Sequence, residues 1–202
     1  MVRVTAHRET VRVLGVDPGL TRCGLGVVDG PVARPAAIAA EVVETDPDEP
    51  VEQRLARIHR EVAATIARYE PDVLACERVL FSANARTAMG VGQSAGVALL
   101  AAAQAGVAVV SYSPNDVKLA VAGHGSAEKG AVGRMVAAQL KLREVPSPPD
   151  VADALAVALC HLARRPLAGA TGAGGDGATS WEAVLDRPHV RVAGGTSRED
   201  RQ

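Results

Sequence analysis

The chain has 202 residues and a net charge of −1, with 22 Lys and Arg against 23 Asp and Glu. That length suits one full core, and the near-neutral balance excludes a polycation, so any contact with nucleic acid has to come from a local basic face. The most apolar region, 97–112, is interrupted by Gln104 and Gly106, and residues 1–11 lack an apolar signal segment, so no membrane partner is expected. Cys23, Cys76 and Cys160 show no metal-type spacing and fit a reduced, cytoplasmic setting.

Residues 1–11 read as a flexible arm. Val13-Leu-Gly-Val16 is a short apolar run that suits a strand buried on both faces; it stops at Asp17, and Pro18-Gly19 forces a turn. Cys23-Gly-Leu-Gly-Val-Val28 follows and can pair back as a hairpin. Residues 36–43 suit a third strand, although their alanines suit a helix equally well. The acid-rich segment 41–52 marks a solvated loop and the first turn of a helix. Val51, Leu55, Ile58, Val62 and Ile66 recur at helical spacing, which predicts an amphipathic helix over 50–69 with that stripe against a sheet.

Pro71-Asp72 ends this helix, and Val73-Leu-Ala-Cys76 predicts a second buried strand that delivers Glu77 at its end. After a loop through Arg86, residues 87–104 form a helix of small side chains, open either to another backbone or to tight packing on the sheet. Gly106 closes it, and 107–112 predicts a third buried strand. Ser113-Pro114 supplies a capping serine and a proline at the first helical position. A Gly-His124-Gly loop interrupts that helix, and the next one is expected to bury Val132, Met135, Val136 and Leu140. Pro146-Ser-Pro-Pro149 then leads into a final helix over 150–163. Segment 166–202 is poor in large apolar residues and is expected to be a disordered, low-complexity tail.

Four acids stand out. Asp17 and Glu77 end apolar strands, while Asp150 and Asp153, three apart, share one face of a helical first turn. Each has an ordinary use, because Asp17 can organise its own turn and acids in a first turn complement the helix dipole. Neighbouring strand ends in an α/β sheet lie close together, though, and a helix laid beside them brings four carboxylates to one place. Such hard donors suit Mg²⁺, and two ions about 4 Å apart activate a water and stabilise a departing 3′ oxygen during attack on a phosphodiester. No Ser-His-Asp set, zinc spacing or complete P-loop competes for the role. Over 78–143, seven basic residues outnumber two acidic ones, a modest face for a nucleic-acid backbone.

Four blocks then occur in a telling order: Leu14-Gly-Val-Asp-Pro-Gly-Leu-Thr-Arg-Cys-Gly24; Glu77-Arg-Val with Asn84 and Gly92-Gln; Ser113-Pro-Asn-Asp-Val-Lys118 running to Gly125-Ser-Ala-Glu-Lys129; and Asp150-Val-Ala-Asp153 followed by Cys160-His161. Over 12–165 the chain resembles the RuvC family, the crossover junction (Holliday junction) endodeoxyribonucleases. The resemblance implies a ribonuclease-H-like α/β fold, with a five-stranded mixed sheet whose first three strands are antiparallel and with helices on both faces. It implies a homodimer that nicks two opposed strands of a four-way DNA junction in recombination and repair, with two Mg²⁺ per active site for which Mn²⁺ can substitute. The RuvA-RuvB branch-migration complex is the implied partner. Carried over position by position, Asp17 would bridge both ions and Glu77 would hold the ion at the leaving group. Asp153 with Asp150 would hold the ion bearing the nucleophilic water. Lys118 and Lys129 match the family's basic pair near the scissile phosphate, and Leu80, Phe81 and Arg86 complete the expected DNA-contacting set.

The chain departs from the family pattern in three places. Leu80 stands where an aromatic usually stacks on a junction base, with Phe81 beside it; Ala131 replaces a glutamine; and Val151 replaces an aspartate or alanine. These departures leave open a second reading, a non-catalytic junction-binding scaffold on the same fold. A third, an actin-like ATPase or sugar kinase, is prompted by Asp17-Pro-Gly-Leu-Thr21 but needs a second lobe for which 202 residues leave no room.

Overall fold

The computed structural model describes residues 10–31, 33–78, 85–123, 125 and 129–164, all within the compact unit Met1–Leu167. Most of the expected arm, the expected tail, and Leu80, Phe81 and His124 lie outside the described residues.

Among the described residues five strands form one mixed sheet in the order β3-β2-β1-β4-β5. They are β1 (Val13–Asp17), β2 (Arg22–Asp29), β3 (Ala36–Glu44), β4 (Val73–Glu77) and β5 (Ala108–Tyr112). The short turn after Asp17 forces β1 and β2 antiparallel, and β3 continues the meander. β4 runs parallel to β1, and β5 parallel to β4, because helices α1 (Val51–Tyr69) and α2 (Ala85–Gln104) return the chain to the starting edge before each. The alanine-rich third segment is thus a strand, selected by its pairing with β2 rather than by its own propensity.

Alternation along the strands divides the side chains between two cores. On one face Leu14, Val16, Leu25, Val27, Leu74 and Cys76 pack with Ile58, Val62 and Ile66 of α1 and with Ala95, Ala98 and Ala102 of α2. On the other, Val13, Val73 and Ala75 pack with α3 (Pro114–Ala122), α4 (Lys129–Gln139) and α5 (Pro149–Arg164) through Val117, Val136, Leu155 and Leu159. Each large apolar side chain so buried contributes roughly 1.5–3 kcal/mol.

Gly15 of β1 and Gly24 and Gly26 of β2 stand on this second face. A Cβ at Gly15 would strike the carbonyl of Ala154, one at Gly24 the carbonyl of Asp150, and one at Gly26 would lie 2.9 Å from the amide nitrogen of Leu155. The backbone of α5 therefore rests on the β1–β2 hairpin at a distance that side chains would not allow.

The structure departs from expectation at three places. β5 is no buried strand: it forms the sheet edge, with a neighbour on one side only, and its residues are exposed or half-buried. The buried face of α1 is rotated, so that Val51 is exposed while Arg54 and Thr65 join Ile58, Val62 and Ile66 inside. Met135 of α4 is exposed, leaving Val132, Val136 and Leu140 to the core. The start of α3 follows its residues closely, since the Ser113 hydroxyl accepts from the Asp116 N–H while the Asp116 carboxylate accepts from the Ser113 N–H.

Candidate active site

Asp17 ends β1 and Glu77 ends β4. The register Val16↔Cys76 sets these two strand ends side by side. The alternation that sends Val16 and Cys76 toward α1 and α2 sends Asp17 and Glu77 to the face covered by α5. Arg22 and Gly24 share that parity on β2, and Gly24 is the register partner of Asp17. Because Gly24 lies under the carbonyl of Asp150, the first turn of α5 packs on the hairpin beside this rim; that turn holds Asp150, and Asp153, expected to share it, follows at the start of the next.

Two thiols lie buried behind the ends of these strands. Burial pushes Cys23 up to about 11 against hydrogen bonds from Gly19 and Ser94 that lower it, with smaller upward pushes from the carboxylates of Asp17 and Asp150. Cys76 is raised first by burial, then by Cys23, Asp17 and Glu77. All four acids are half-buried.

The turn behind Asp17 is anchored from the opposite layer. Thr45 donates its N–H to the carbonyl of Thr21 and its hydroxyl to the carbonyl of Leu20. Arg54, buried in α1, donates Nε to the Thr45 hydroxyl at 2.9 Å and Nη2 to the Thr21 hydroxyl at 2.8 Å. The position of Asp17 is therefore set by strand pairing on one side and by a buried guanidinium on the other.

Asp150 is held by a cation of the chain itself. Arg22 Nε donates to Asp150 Oδ2 at 2.9 Å, and Arg22 Nη1 lies 3.2 Å from Glu44 Oε1. Motif and spacing did not single out Arg22; its parity with Asp17 across the hairpin is the signal that finds it. Among the described residues no three His, Cys, Asp or Glu groups form a ready-made metal centre. Asp17 and Glu77 end adjacent strands, and carboxylate donors of this kind suit Mg²⁺, which keeps several waters and substrate oxygens around one or two carboxylates.

Lys118 is half-buried in α3. Arg86 falls in the first turn of α2 and Lys129 opens α4, both with side chains outside the described residues. Val151 is buried in the α5-side core, and Ala131 packs against it. Packing absorbs both of those departures from the family pattern.

Three antiparallel strands followed by two parallel ones, helices on both faces, and carboxylates ending the first and fourth strands define a ribonuclease-H-like α/β domain. A family model described as "Crossover junction endodeoxyribonuclease RuvC" matches residues 13–161. Proteins of that name from Salinispora arenicola and Leifsonia xyli are 51% identical over 155 residues and 48% identical over 176. These alignments cover 76% and 87% of this chain, and 89% and 85% of the relatives. Among solved structures, Thermus thermophilus RuvC is similar at 44% identity with a TM-score of 0.70, covering 75% of this chain and 93% of that one. The same protein in complex with a Holliday junction substrate gives 43% and 0.72, covering 75% and 92%. The yeast mitochondrial Holliday junction resolvase Ydc2, at 14% identity and a TM-score of 0.54, shares the fold over 80% of this chain and 83% of its own. The chain belongs to the RuvC family of crossover junction endodeoxyribonucleases. No helix among the described residues is long and apolar enough to cross a membrane.

Proposed function

We propose that this chain is a Holliday junction resolvase, a cytoplasmic hydrolase that nicks two opposed strands of a four-way DNA junction as a homodimer. Asp17, Glu77, Asp150 and Asp153 would hold two divalent cations per site, Mg²⁺ with Mn²⁺ as a substitute. Bound there, such ions supply a deprotonated water and neutralise charge on the departing 3′ oxygen.

The contribution of the chain is placement. β1 and β4 make a rigid rim of Asp17 and Glu77, and the bare glycine face of the hairpin lets α5 approach with Asp150 and Asp153. Lys118 and Lys129 offset charge on the scissile phosphate, and Leu80, Phe81 and Arg86 contact the junction arms. The exposed side of α2 supports the homodimer: Met89 and Leu100 are exposed, and a Cβ at Gly92 or Gly96 would meet nothing, so a second copy can approach closely. The RuvA-RuvB branch-migration complex is the proposed larger partner.

What supports this reading is membership of the family together with Asp17 and Glu77 at the ends of paired strands and the start of α5, with Asp150, packed on Gly24 of the same hairpin. Its test is incubation of the full chain with Mg²⁺ and a synthetic four-way junction. Paired symmetric nicks are expected, and Asp17→Asn should bind the junction while cutting more than about 100-fold slower. Junction binding without Mg²⁺-dependent product in the wild type would favour the scaffold reading, and undiminished cutting by Asp17→Asn would refute the site.

A further inference from the structure

We propose that Arg22 is the positioning residue of Asp150, occupying one carboxylate oxygen so that the other is presented to the divalent cation. This role rests on the reading of Asp150 as a cation ligand. An exposed ion pair ordinarily contributes little and holds nothing in place. The Arg22–Asp150 pair differs in how both ends are fixed.

Arg22 is the first residue of β2, on the side of the sheet that receives α5, and it bridges 128 positions of sequence to the first turn of that helix. Its register partner on β3 is Glu44, whose carboxylate takes Nη1 at 3.2 Å. Nε then points to Oδ2 of Asp150 at 2.9 Å. Asp150 is fixed from below as well, because its carbonyl rests on Gly24. Backbone contact sets the height of this acid above the rim, and the guanidinium sets the rotation of its carboxylate.

A lone guanidinium repels a metal ion, and its charge alone would oppose the arrangement. Glu44 answers that objection: the Glu44–Arg22 pair is close to neutral when viewed from the rim, so its directional hydrogen bond remains while most of its repulsion cancels. A guanidinium also keeps its charge at every working pH, which makes it a permanent orienting group. Hydrogen-bond partners of ligating carboxylates commonly change metal affinity 10- to 100-fold. The Arg22 side chain is 40% exposed, which puts the expected effect at or below the lower end of that range.

The test is calorimetric titration of Mn²⁺ into the full chain, without DNA, for wild type, Arg22→Gln, Arg22→Lys, Asp150→Asn and the Arg22→Gln/Asp150→Asn double variant. Arg22→Gln should weaken Mn²⁺ binding about 3- to 10-fold with the fold intact by circular dichroism. Arg22→Lys should recover part of the loss, and Arg22→Gln should add nothing once Asp150 is Asn. In junction cleavage, the Mg²⁺ midpoint of Arg22→Gln should rise by the same factor while the rate at saturating Mg²⁺ changes less. If Arg22→Gln binds Mn²⁺ as tightly as wild type while Asp150→Asn binds it more weakly, the positioning role is overturned and the ligand reading stands. If Asp150→Asn leaves Mn²⁺ binding unchanged, the ligand reading falls and the positioning role falls with it.

Discussion

Gly24 on β2 lies directly beneath the backbone carbonyl of Asp150, with no room for a Cβ between them. The obstacle is backbone rather than the end of a flexible side chain, so a larger residue cannot be accommodated by a rotamer change. Gly24→Ala must lift the first turn of α5 or twist the hairpin. Overpacking of a tight contact costs about 1–3 kcal/mol, and this substitution is expected near the top of that range. Because that turn carries Asp150 and leads directly to Asp153, cleavage should fall further than the loss of stability accounts for. Thermal unfolding and junction cleavage, measured together well below the melting temperature, check this.

Arg54 offers a test from the other side of the sheet. It is 7% exposed, and two of its donors are spent on the hydroxyls of Thr45 and Thr21. Arg54→Met keeps most of the stem but removes two charge-assisted hydrogen bonds, each worth about 1.5–3 kcal/mol. It also removes the cost of burying a charge, so the net destabilisation is expected at about 1–3 kcal/mol. Thr45 holds the carbonyls of Leu20 and Thr21, and the loosened turn is the one that follows Asp17. Denaturant unfolding should show the stability loss, and cleavage should drop several-fold under conditions where the variant is fully folded; unaltered cleavage would separate Arg54 from the site.

These relationships explain which parts of the molecule could be read from the chain. Val13–Asp17 and Val73–Glu77 are apolar runs that each stop at an acid, so both strands and both acids were legible as local patterns. Ser113 and Pro114 marked the start of α3 for the same reason. The exposure of β5 was not legible, because a Val and Ala run looks alike whether or not the sheet continues past it. Arg54 was hidden because its burial depends on hydroxyls from two other segments. The Arg22–Asp150 pair joins positions 128 apart, and no spacing rule reaches that far. One long-range signal was present and unused: Gly24 and Gly26 alternate with Cys23, Leu25 and Val27, and a strand bare on one face calls for a close backbone there.

The cap of α3 carries a pH dependence. The Asp116 carboxylate is held below its usual range chiefly by the Ser113 hydroxyl, helped by the Ser113 N–H and the Arg164 guanidinium and opposed by burial. A carboxyl lowered on folding adds stability that is complete above its unfolded value of about 3.9 and is lost as pH falls through the lower native value. Asp116→Asn should therefore melt below wild type at pH 7, by an amount matching about 0.5–2 kcal/mol for a helix cap. The gap should narrow as the solution is acidified below about pH 4. Melting curves from pH 7 to pH 3 decide it, and a gap that stays constant throughout would assign the effect to shape rather than charge.

The three thiols test how tightly the layers around the site are closed. Cys23, Cys76 and Cys160 are free and buried, and burial is the first cause of the upward push on each, to about 11 for Cys23 and about 12 for Cys160. Alkylation requires the thiolate, which is scarce three or more units below such values, and it also requires access. Iodoacetamide at pH 8 should therefore leave all three unmodified in the native chain and label all three in denaturant. Cys23 and Cys76 flank the Asp17 strand from the α1–α2 side, so an opening that labels them must separate that layer from the sheet. Their labelling rate, read by mass spectrometry against denaturant concentration, should follow global unfolding. Fast labelling of Cys23 alone in the native chain would instead show that the layer behind Asp17 opens locally, and the anchoring by Arg54 would then be weaker than its hydrogen bonds imply.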